Sequence, residues 1–240
     1  MGRSNVEYAT DQITVYPSCP FKCKYCFWNT KLWKSRRKRI KPRPLEEAVR
    51  YLAARKRRVI VISFTTDPYP PIEAEKKITR NVLRILSHAS HHKIMVLTKN
   101  PGLAFRDFEY FYRHGNMWMG TTVVTLEENR ELEPYAPPPK ERLRWLWAVK
   151  GEAIPTWLSI EPIIPGITDP LEIVEKTIGY IDLYVLGGFN YAKQLGFNST
   201  YTEEEVARII EAIRLLREKG KPFIIKRNLR RVLRLGGSIK

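Results

Sequence analysis

The sequence predicts an α/β fold in which parallel strands form a partial barrel of the (β/α)6 type. Short apolar runs alternate with amphipathic stretches along the chain, and polar residues cluster directly after the apolar runs. No internal repeat or linker interrupts this alternation. Strict alternation of strands and helices implies parallel strands joined by right-handed crossovers. We therefore expect one domain over residues 1–240.

The first unit begins with a strand over residues 12–16, which Pro17 ends, and the run Val59–Phe64 is typical of a buried strand. The remaining strands are predicted over 93–98, 117–124, 156–163, 182–186 and 222–226, the last one short. Amphipathic helices are predicted over 45–56, 73–89, 103–113, 139–150, 169–180 and 203–219. Thr202 and Glu205 form a capping box at the start of the last helix, and Gly220 ends it.

The three cysteines of the chain lie together in the loop 17–28, as Cys19, Cys23 and Cys26. Three thiolates do not complete a structural zinc site, which takes four protein ligands. A [4Fe–4S] cluster held by three thiolates keeps one iron open for another ligand. A zinc site completed by a histidine stays open as an alternative. The candidate histidines are His88, His91, His92 and His114, all far along the chain.

This CxxxCxxC pattern resembles the signature of the radical SAM superfamily, CxxxCxΦC, in which the aromatic position Φ is Tyr25 here. The resemblance implies that the open iron binds the amino and carboxylate groups of S-adenosylmethionine (SAM). It further implies that an external donor supplies one electron, that SAM is cleaved to a 5′-deoxyadenosyl radical, and that this radical abstracts a hydrogen atom. Tyr25 is included among the candidate cofactor-binding residues.

Further segments resemble the branch of that superfamily that includes spore photoproduct lyase and proteins labelled DNA repair photolyases. They are F-T-T-D-P-Y-P-P-I-E at 64–73, L-T-K-N at 97–100 and I-E-P-I-I-P-G-I-T-D at 160–169. Spore photoproduct lyases are expected to carry an extra cysteine near the end of the second strand as a hydrogen-atom donor. This chain has Phe64, Thr65 and Thr66 there, which disfavours reversal of thymine dimers by that route. Tyr69 is the alternative candidate donor, and packing is its other role.

In barrels of this type the chemistry lies at the C-terminal ends of the strands. Thr65, Thr66 and Asp67 follow the second strand, and their oxygens suit the ammonium group of SAM, although a turn that caps a helix is the alternative. Lys99 follows the third strand, where burial would be costly without an anion. The resemblance makes the SAM carboxylate its partner.

The next three strand ends carry further candidates. Alternation turns only one of Thr121 and Thr122 inward, and we expect Thr122 to bond the ribose or amino group of SAM. Glu161 is a candidate to bond ribose hydroxyls, to pair with Lys99 or to act catalytically on the substrate. Gly187 and Gly188 would let an adenine ring approach the backbone, with a tight turn as the alternative.

The net charge of +17 indicates an anionic partner. Basic runs lie at 36–39, 55–58 and 226–234, the last within a basic tail over about 226–240, and the first follows Phe27, Trp28 and Trp33. Cations interleaved with aromatic residues suit DNA or RNA. The solvated face of a thermophilic protein is the alternative.

The expected function is that of a radical SAM enzyme acting on nucleic acid, for repair or base modification. The same chemistry on a protein or small molecule is one alternative, and a non-enzymatic metal or nucleic-acid binding module is another. The chain has no apolar run long enough for a membrane span, no secretory leader and no disulfide pattern. We therefore expect a cytoplasmic protein.

Overall fold

The computed structural model describes residues 2–4, 6–31, 34, 41–113 and 115–235. Eight strands form one sheet in which each strand lies beside its predecessor in the chain. They are β1 (Gly2–Arg3), β2 (Asp11–Ile13), β3 (Val59–Ile62), β4 (Lys93–Leu97), β5 (Met117–Thr122), β6 (Thr156–Ile163), β7 (Leu183–Gly188) and β8 (Phe223–Ile225).

Helices connect these strands and cover the outside of the sheet. They are α1 (Pro44–Ala53), α2 (Glu73–Lys76), α3 (Ile78–Leu86), α4 (Pro101–Phe105), α5 (Phe108–Tyr112), α6 (Pro139–Gly151), α7 (Pro170–Thr177), α8 (Glu203–Glu218) and α9 (Arg227–Leu235). Two short 3-10 helices lie at Phe27–Asn29 and Lys193–Leu195. None of the helices in the described ranges combines the length and the apolar character that crossing a bilayer requires.

The sheet is a curled half-barrel of seven parallel strands, β2 to β8, with β1 added antiparallel to β2. In its register, Ile60 of β3 pairs with Ile94 of β4, and Gly120 of β5 pairs with Trp157 of β6. Because spatial order equals chain order, every crossover steps in the same direction. All C-terminal ends of the parallel strands therefore lie on one rim. This confirms the predicted partial parallel barrel.

Successive residues of each strand face two different apolar layers. Ile60 and Ile62 pack outward against the helices, in the larger core. Val61 packs inward, where the side chains of the N-terminal segment 6–9 fill the barrel. The inward layer also contains Met95, Trp157, Leu183 and Val185. The segment 6–9 therefore closes the inside of the half-barrel below the rim.

The predicted helix over 73–89 is wrong as a single element, since it divides into α2 and α3 at Lys77, which has a left-handed φ of 54°. Glu73 is fully buried, and its carboxylate accepts hydrogen bonds from the backbone amides of Thr79 at 2.9 Å and Arg80 at 3.1 Å. A side chain of α2 thus caps the first turn of α3. The predicted helix over 103–113 likewise divides into α4 and α5, and α9 forms within the basic tail, where no helix was predicted.

Substitution of Gly120 by alanine should destabilise the barrel, because a Cβ at this position would lie 2.4 Å from the indole of Trp157. That ring is fully buried, and its Nε1 donates a hydrogen bond to the carbonyl of Val96 at 3.0 Å, so it has little freedom to move. We expect a loss of about 1–3 kcal/mol in the free energy of unfolding, measured by urea denaturation. Gly151→Ala is the control, since nothing lies within 4 Å of its Cβ position. Equal stability of the two variants would contradict the packing described here.

Candidate functional site

A cavity of about 430 Å³ opens at the rim where the parallel strands end. Its wall combines the cysteine loop with residues that lie near the C-terminal ends of β3 to β8 or directly after them. Most of the predicted site residues line this one cavity: Cys19, Cys23, Tyr25, Cys26, Thr65, Thr66, Asp67, Lys99, Thr122, Glu161 and Gly188. Tyr69 and Gly187 are not among the lining residues.

One backbone hydrogen bond ties the cysteine loop to the segment after β5, since the amide of Lys24 donates to the carbonyl of Leu132 at 2.9 Å. A local side-chain bond supports the loop, since Asn29 Nδ2 donates to the carbonyl of Cys23 at 2.8 Å. None of the three cysteines forms a disulfide with a described residue. Burial raises the pKa of Cys19 to about 12 and that of Cys23 to about 11. Thiolates in this position therefore need a bound cation, and sulfur donors suit an iron–sulfur cluster.

The described histidines lie away from the three cysteines. His92 Nδ1 accepts from the amide of Arg58, and its Nε2 lies 2.9 Å from the carbonyl of Tyr51. His91 Nε2 lies 2.7 Å from the carbonyl of Ala54. These contacts are before β3 and β4, at the end of the barrel opposite the cavity. His88 precedes β4 on the same side, and His114 is outside the described residues. The described histidines thus do not complete a zinc site with the cysteines.

Asp67 joins the ends of β3 and β4. Its Oδ1 accepts from Thr98 Oγ1 at 2.6 Å and from the amide of Tyr69 at 2.8 Å, and its Oδ2 accepts from the amide of Lys99 at 2.7 Å. Burial raises the pKa of Asp67 in spite of these bonds. A carboxylate has about four acceptor positions, so one remains for a ligand. Both interpretations of this segment, turn and ligand holder, fit the geometry.

The two threonines beside Asp67 differ in what they contact. Thr66 Oγ1 donates to the carbonyl of Tyr16 at 2.9 Å, which ties the end of β3 to the segment after β2. Thr65 Oγ1 lies 3.3 Å from Thr14 Oγ1, and it is the less buried of the two. Thr65 therefore has more freedom to bind a ligand than Thr66.

Lys99 lies over the ring of Tyr25, with Nζ 5.4 Å from the centroid, and 4.0 Å from Glu133 Oε1. The carboxylate of Glu133 also accepts from the hydroxyl of Tyr25 and from the guanidinium of Arg142, which is 1% exposed. Arg142 Nη1 donates to the carbonyl of Thr122 at 2.8 Å, so it reaches the end of β5. Neither Glu133 nor Arg142 was among the site residues predicted from the sequence, although L-E-P at 132–134 and R-L at 142–143 also resemble the spore photoproduct lyase branch.

Glu161 pairs with Lys226, not with Lys99. Lys226 Nζ lies 2.5 Å from Glu161 Oε1, and 3.9 Å from Glu7 Oε2. Burial raises the pKa of Glu161, and the charge of Lys226 opposes that shift. Sequence reasoning treated Lys226 only as part of a charge run. Its position directly after β8 was the available signal, since strand ends carry the other site residues.

The two glycines that end β7 play different roles. A Cβ on Gly187 would lie 2.7 Å from Glu161 Cγ, so this glycine makes room for the carboxylate rather than lining the cavity. Gly188 lines the cavity, and its amide and carbonyl both bond the side chain of Asn228, at 3.2 and 2.6 Å. Of the two, Gly188 alone is placed where an adenine could approach.

Because successive side chains of a strand point to opposite faces, β5 and β6 each direct one hydroxyl group toward the cavity. Thr122 lines it, as expected, and so does Ser159, which sequence reasoning missed. The two residues pair directly across β5 and β6. Thr121 faces away and is fully buried, and among the described residues its hydroxyl has no hydrogen-bond partner.

Tyr69 is placed outside the cavity. Its side chain is fully buried, and its hydroxyl donates to Asp107 Oδ2 at 3.1 Å, behind β3 and β4. This placement corresponds to packing, the other role considered for this residue, and it corrects the expectation of a hydrogen-atom donor in the cavity.

The basic runs lie at different ends of the barrel. The run 55–58 precedes β3, and Arg58 pairs with Asp11 at 3.0 Å, so this run is at the end opposite the cavity. Residues 227–234 lie in α9, which begins at the cavity rim directly after Lys226. The run 36–39 is outside the described residues.

The family model of the radical SAM superfamily matches residues 13–181, which is more than half of the chain. An uncharacterized protein of Methanocaldococcus jannaschii is 27% identical over 210 residues, 84% of this chain and 78% of that protein. An uncharacterized protein of Acidianus two-tailed virus is 26% identical over 198 residues, 77% of this chain and 64% of that protein.

Solved structures with a similar fold include a mutant of spore photoproduct lyase, with a TM-score of 0.67 at 14% identity over 94% of this chain and 78% of the lyase. Streptococcus suis SuiB bound to S-adenosylmethionine has a TM-score of 0.60 at 13% identity over 89% of this chain. The chain spans about half the length of SuiB, at 49%. At these identities the likeness shows the fold alone.

The described residues fit the groups that the family implies, a [4Fe–4S] cluster and SAM. Three cysteines line one cavity, and the same cavity has an unfilled acceptor position on Asp67 and the hydroxyls of Thr122 and Ser159 on its wall. With the match over residues 13–181, this chain belongs to the radical SAM superfamily, a family of enzymes that use a [4Fe–4S] cluster and SAM.

Proposed function

We propose that this chain cleaves SAM reductively and directs the resulting radical to a nucleic-acid substrate. Cys19, Cys23 and Cys26 would hold the cluster, since all three line the cavity. When bound, the cluster supplies the electron that breaks the C5′–S bond of SAM, and an external donor has to replace that electron. Cysteines that form no disulfide with a described residue agree with a reducing cytoplasm.

The strand ends would hold SAM by its polar groups. Asp67 and Thr65 offer acceptors for the ammonium group, and Lys99 offers a cation for the carboxylate. Thr122 would bond the ribose or the amino group, and the backbone of Gly188 would face adenine, since both residues line the cavity. The absent side chain of Gly188 also lets α9 approach, because a Cβ there would lie 3.3 Å from the amide nitrogen of Leu229. Water has limited access to these groups, because Thr122 is 6% exposed and Asp67 is 7% exposed.

Helix α9 carries the proposal of a nucleic-acid substrate. Arg227, Arg230, Arg231 and Arg234 are exposed along it. Leu229 and Leu233 are buried and anchor the opposite face of the helix. Within the described part of the chain, none of these arginines joins a salt bridge. Arg230 Nε donates to the carbonyl of Ile225 at 2.9 Å, and its guanidinium carries four further N–H groups. A row of exposed arginines that starts at the rim of a cavity suits the phosphates of a strand whose base enters it.

Reversal of three charges on α9 should weaken binding of single-stranded DNA. In the variant Arg230→Glu, Arg231→Glu, Arg234→Glu we expect at least a roughly tenfold loss of affinity at low salt, because phosphate contacts dominate such binding. Fluorescence anisotropy of a labelled oligonucleotide at two salt concentrations measures the loss and the change in salt dependence.

The matched control is Arg55→Glu, Lys56→Glu, Arg57→Glu, which reverses three exposed charges at the opposite end of the barrel. An equal loss in both variants would show that net charge alone attracts DNA. If the unaltered protein has no affinity at low salt, the nucleic-acid proposal fails. A peptide then becomes the first alternative, because SuiB, which has a similar fold, was crystallised with a precursor peptide.

The cleavage itself is tested by anaerobic reconstitution with iron and sulfide, followed by incubation with SAM and dithionite. We expect 5′-deoxyadenosine and methionine in equal amounts. A protein that forms the cluster but never releases 5′-deoxyadenosine would exclude the proposed activity.

A further inference from the structure

The ion pair of Glu161 and Lys226 lies on the part of the cavity wall formed by β6, β7 and β8. The other charged side chains that act on the cysteines come instead from residues after β3, β4 and β5, namely Asp67, Lys99, Glu133 and Arg142. The two groups of charges thus occupy different sides of the cavity, and the residues proposed for the cluster and for the polar end of SAM make no use of this pair.

Both side chains of the pair are largely buried, Glu161 at 17% and Lys226 at 8% exposure. Two structural features maintain this arrangement. The Glu161 side chain lies against the Cα of Gly187, where any Cβ would displace it, and the amide of Lys226 bonds the carbonyl of Leu186 at 2.9 Å. Burial of an ion pair is costly, so such a pair gains most when a ligand completes its hydrogen bonds.

The pair retains unused hydrogen-bonding capacity toward the cavity. Lys226 contacts Glu161 through Oε1, and no described group bonds Oε2. One N–H of the ammonium is used by Oε1, and Glu7 at 3.9 Å is too far for a hydrogen bond. An acceptor and a donor are therefore presented side by side, the arrangement that complements the edge of a nucleobase.

An aromatic ring lies beside this pair. Lys226 Nζ is 5.6 Å from the centroid of Phe64, which also lines the cavity and is stacked on Phe27 at 5.9 Å. Any base can stack on an aromatic face, whereas hydrogen bonds to polar side chains fix the orientation of the base within its own plane. Phe64 and the ion pair together form a subsite with both elements.

The subsite is continuous with the arginine face of α9. Arg227 follows Lys226 directly. Arg230 is four residues after Lys226, which corresponds to about 6 Å along the axis at the helical rise of 1.5 Å per residue. Phosphates bound on α9 would therefore be close enough for an attached base to reach Lys226. Asn228, which bonds Gly188, fixes the start of α9 against this wall.

We propose that Glu161 and Lys226 bind the hydrogen-bonding edge of one unpaired nucleobase of the substrate, while α9 binds the adjoining phosphates. This inference rests on the proposed nucleic-acid substrate and assigns the residues that recognise its base. A paired base has its edge occupied, so the subsite selects single-stranded or unstacked nucleotides.

The test compares a mixed-sequence single-stranded DNA decamer with an abasic decamer that carries the same phosphates. For the unaltered protein we expect the decamer with bases to bind at least roughly tenfold more tightly. In the double variant Glu161→Leu, Lys226→Met, which removes both charges, this preference should fall to about threefold or less, because only stacking remains. Affinity for the abasic decamer should not change.

Other outcomes separate this inference from the proposal on which it rests. Failure of the unaltered protein to bind either decamer defeats the nucleic-acid substrate itself. Equal binding of the two decamers by the unaltered protein, or an unchanged preference in the folded double variant, overturns the base subsite alone. The α9 triple variant should lose affinity for both decamers by the same factor.

Calorimetry of SAM binding to the reconstituted protein tests whether the pair binds SAM instead of a base. Unchanged SAM affinity in the double variant supports the base subsite, and a loss of SAM affinity with an intact base preference overturns it. If thermal denaturation shows that the double variant does not fold, Glu161→Gln replaces it. That variant keeps an oxygen for Lys226 and places an NH₂ group at the free acceptor, so the base preference should still fall by roughly threefold or more.

Discussion

Replacement of Cys23 by alanine should abolish the formation of 5′-deoxyadenosine. Three thiols line the cavity, and the described histidines, which are the other soft metal ligands considered, are at the other end of the barrel. We expect product to fall by more than roughly a hundredfold, which is beyond the effect of removing a group that only supports a metal ligand. Iron content and product per chain, measured after anaerobic reconstitution, report the loss.

Lys24→Ala is the control for this variant, because Lys24 is an exposed residue of the same loop whose backbone amide, not its side chain, bonds Leu132. It should load iron normally. Cys23 is 7% exposed, and truncation to alanine removes one sulfur atom, so folding should be retained. Full iron content in Cys23→Ala would show that the cluster is held elsewhere.

Sequence alone placed most of the site because parallel strands end on one rim. The predicted residues come from four separate segments of the chain, yet each lies at or just after the C-terminal end of a strand, and all line one cavity: Thr65, Asp67, Lys99, Thr122 and Glu161. Apolar runs predict strands. In a sheet of parallel strands the C-terminal ends lie on one rim, regardless of the conformation of the connecting loops.

The partners of these residues could not be predicted in the same way. Glu161 faces Lys226, which is 65 residues later, and Lys99 faces Glu133 in a loop. Such pairs depend on the curl of the sheet and on how the loops fold over it, and neither leaves a periodic pattern in sequence. The break between α2 and α3 could not be predicted either, because it also leaves no periodic pattern. It depends on the hydrogen bonds of the buried Glu73 carboxylate rather than on helix propensity.

Substitution of Glu133 by alanine should be the most destabilising single change near the cavity. Arg142 is 1% exposed and Glu133 is 5% exposed, so the variant would leave a buried guanidinium without its anion. Loss of one partner of a buried pair costs about 3–5 kcal/mol in the free energy of unfolding. Urea denaturation of the protein without its cluster measures this cost, and Glu131→Ala, an exposed change in the same loop, should cost little.

The cost should depend on pH in one direction. Burial alone would raise the pKa of Glu133, but the charges of Lys99 and Arg142 outweigh it and lower that pKa below its usual value. A carboxylate whose pKa is lowered in the folded state stabilises the protein at every pH above its unfolded-state pKa, which is about 4.3 for glutamate. This contribution disappears as the pH falls through the folded-state pKa. The stability difference between the unaltered protein and Glu133→Ala should therefore be constant near neutrality and shrink in acid.

A double variant separates stability from positioning. Glu133→Leu with Arg142→Met replaces the buried pair by apolar groups and should recover most of the lost stability. It still removes the acceptor of the Tyr25 hydroxyl, and Tyr25 lies between Cys23 and Cys26 in the cavity wall. We therefore expect the double variant to fold yet to incorporate less iron than the unaltered protein. Normal iron content in it would mean that the Glu133 network supports the fold without orienting the cysteine loop.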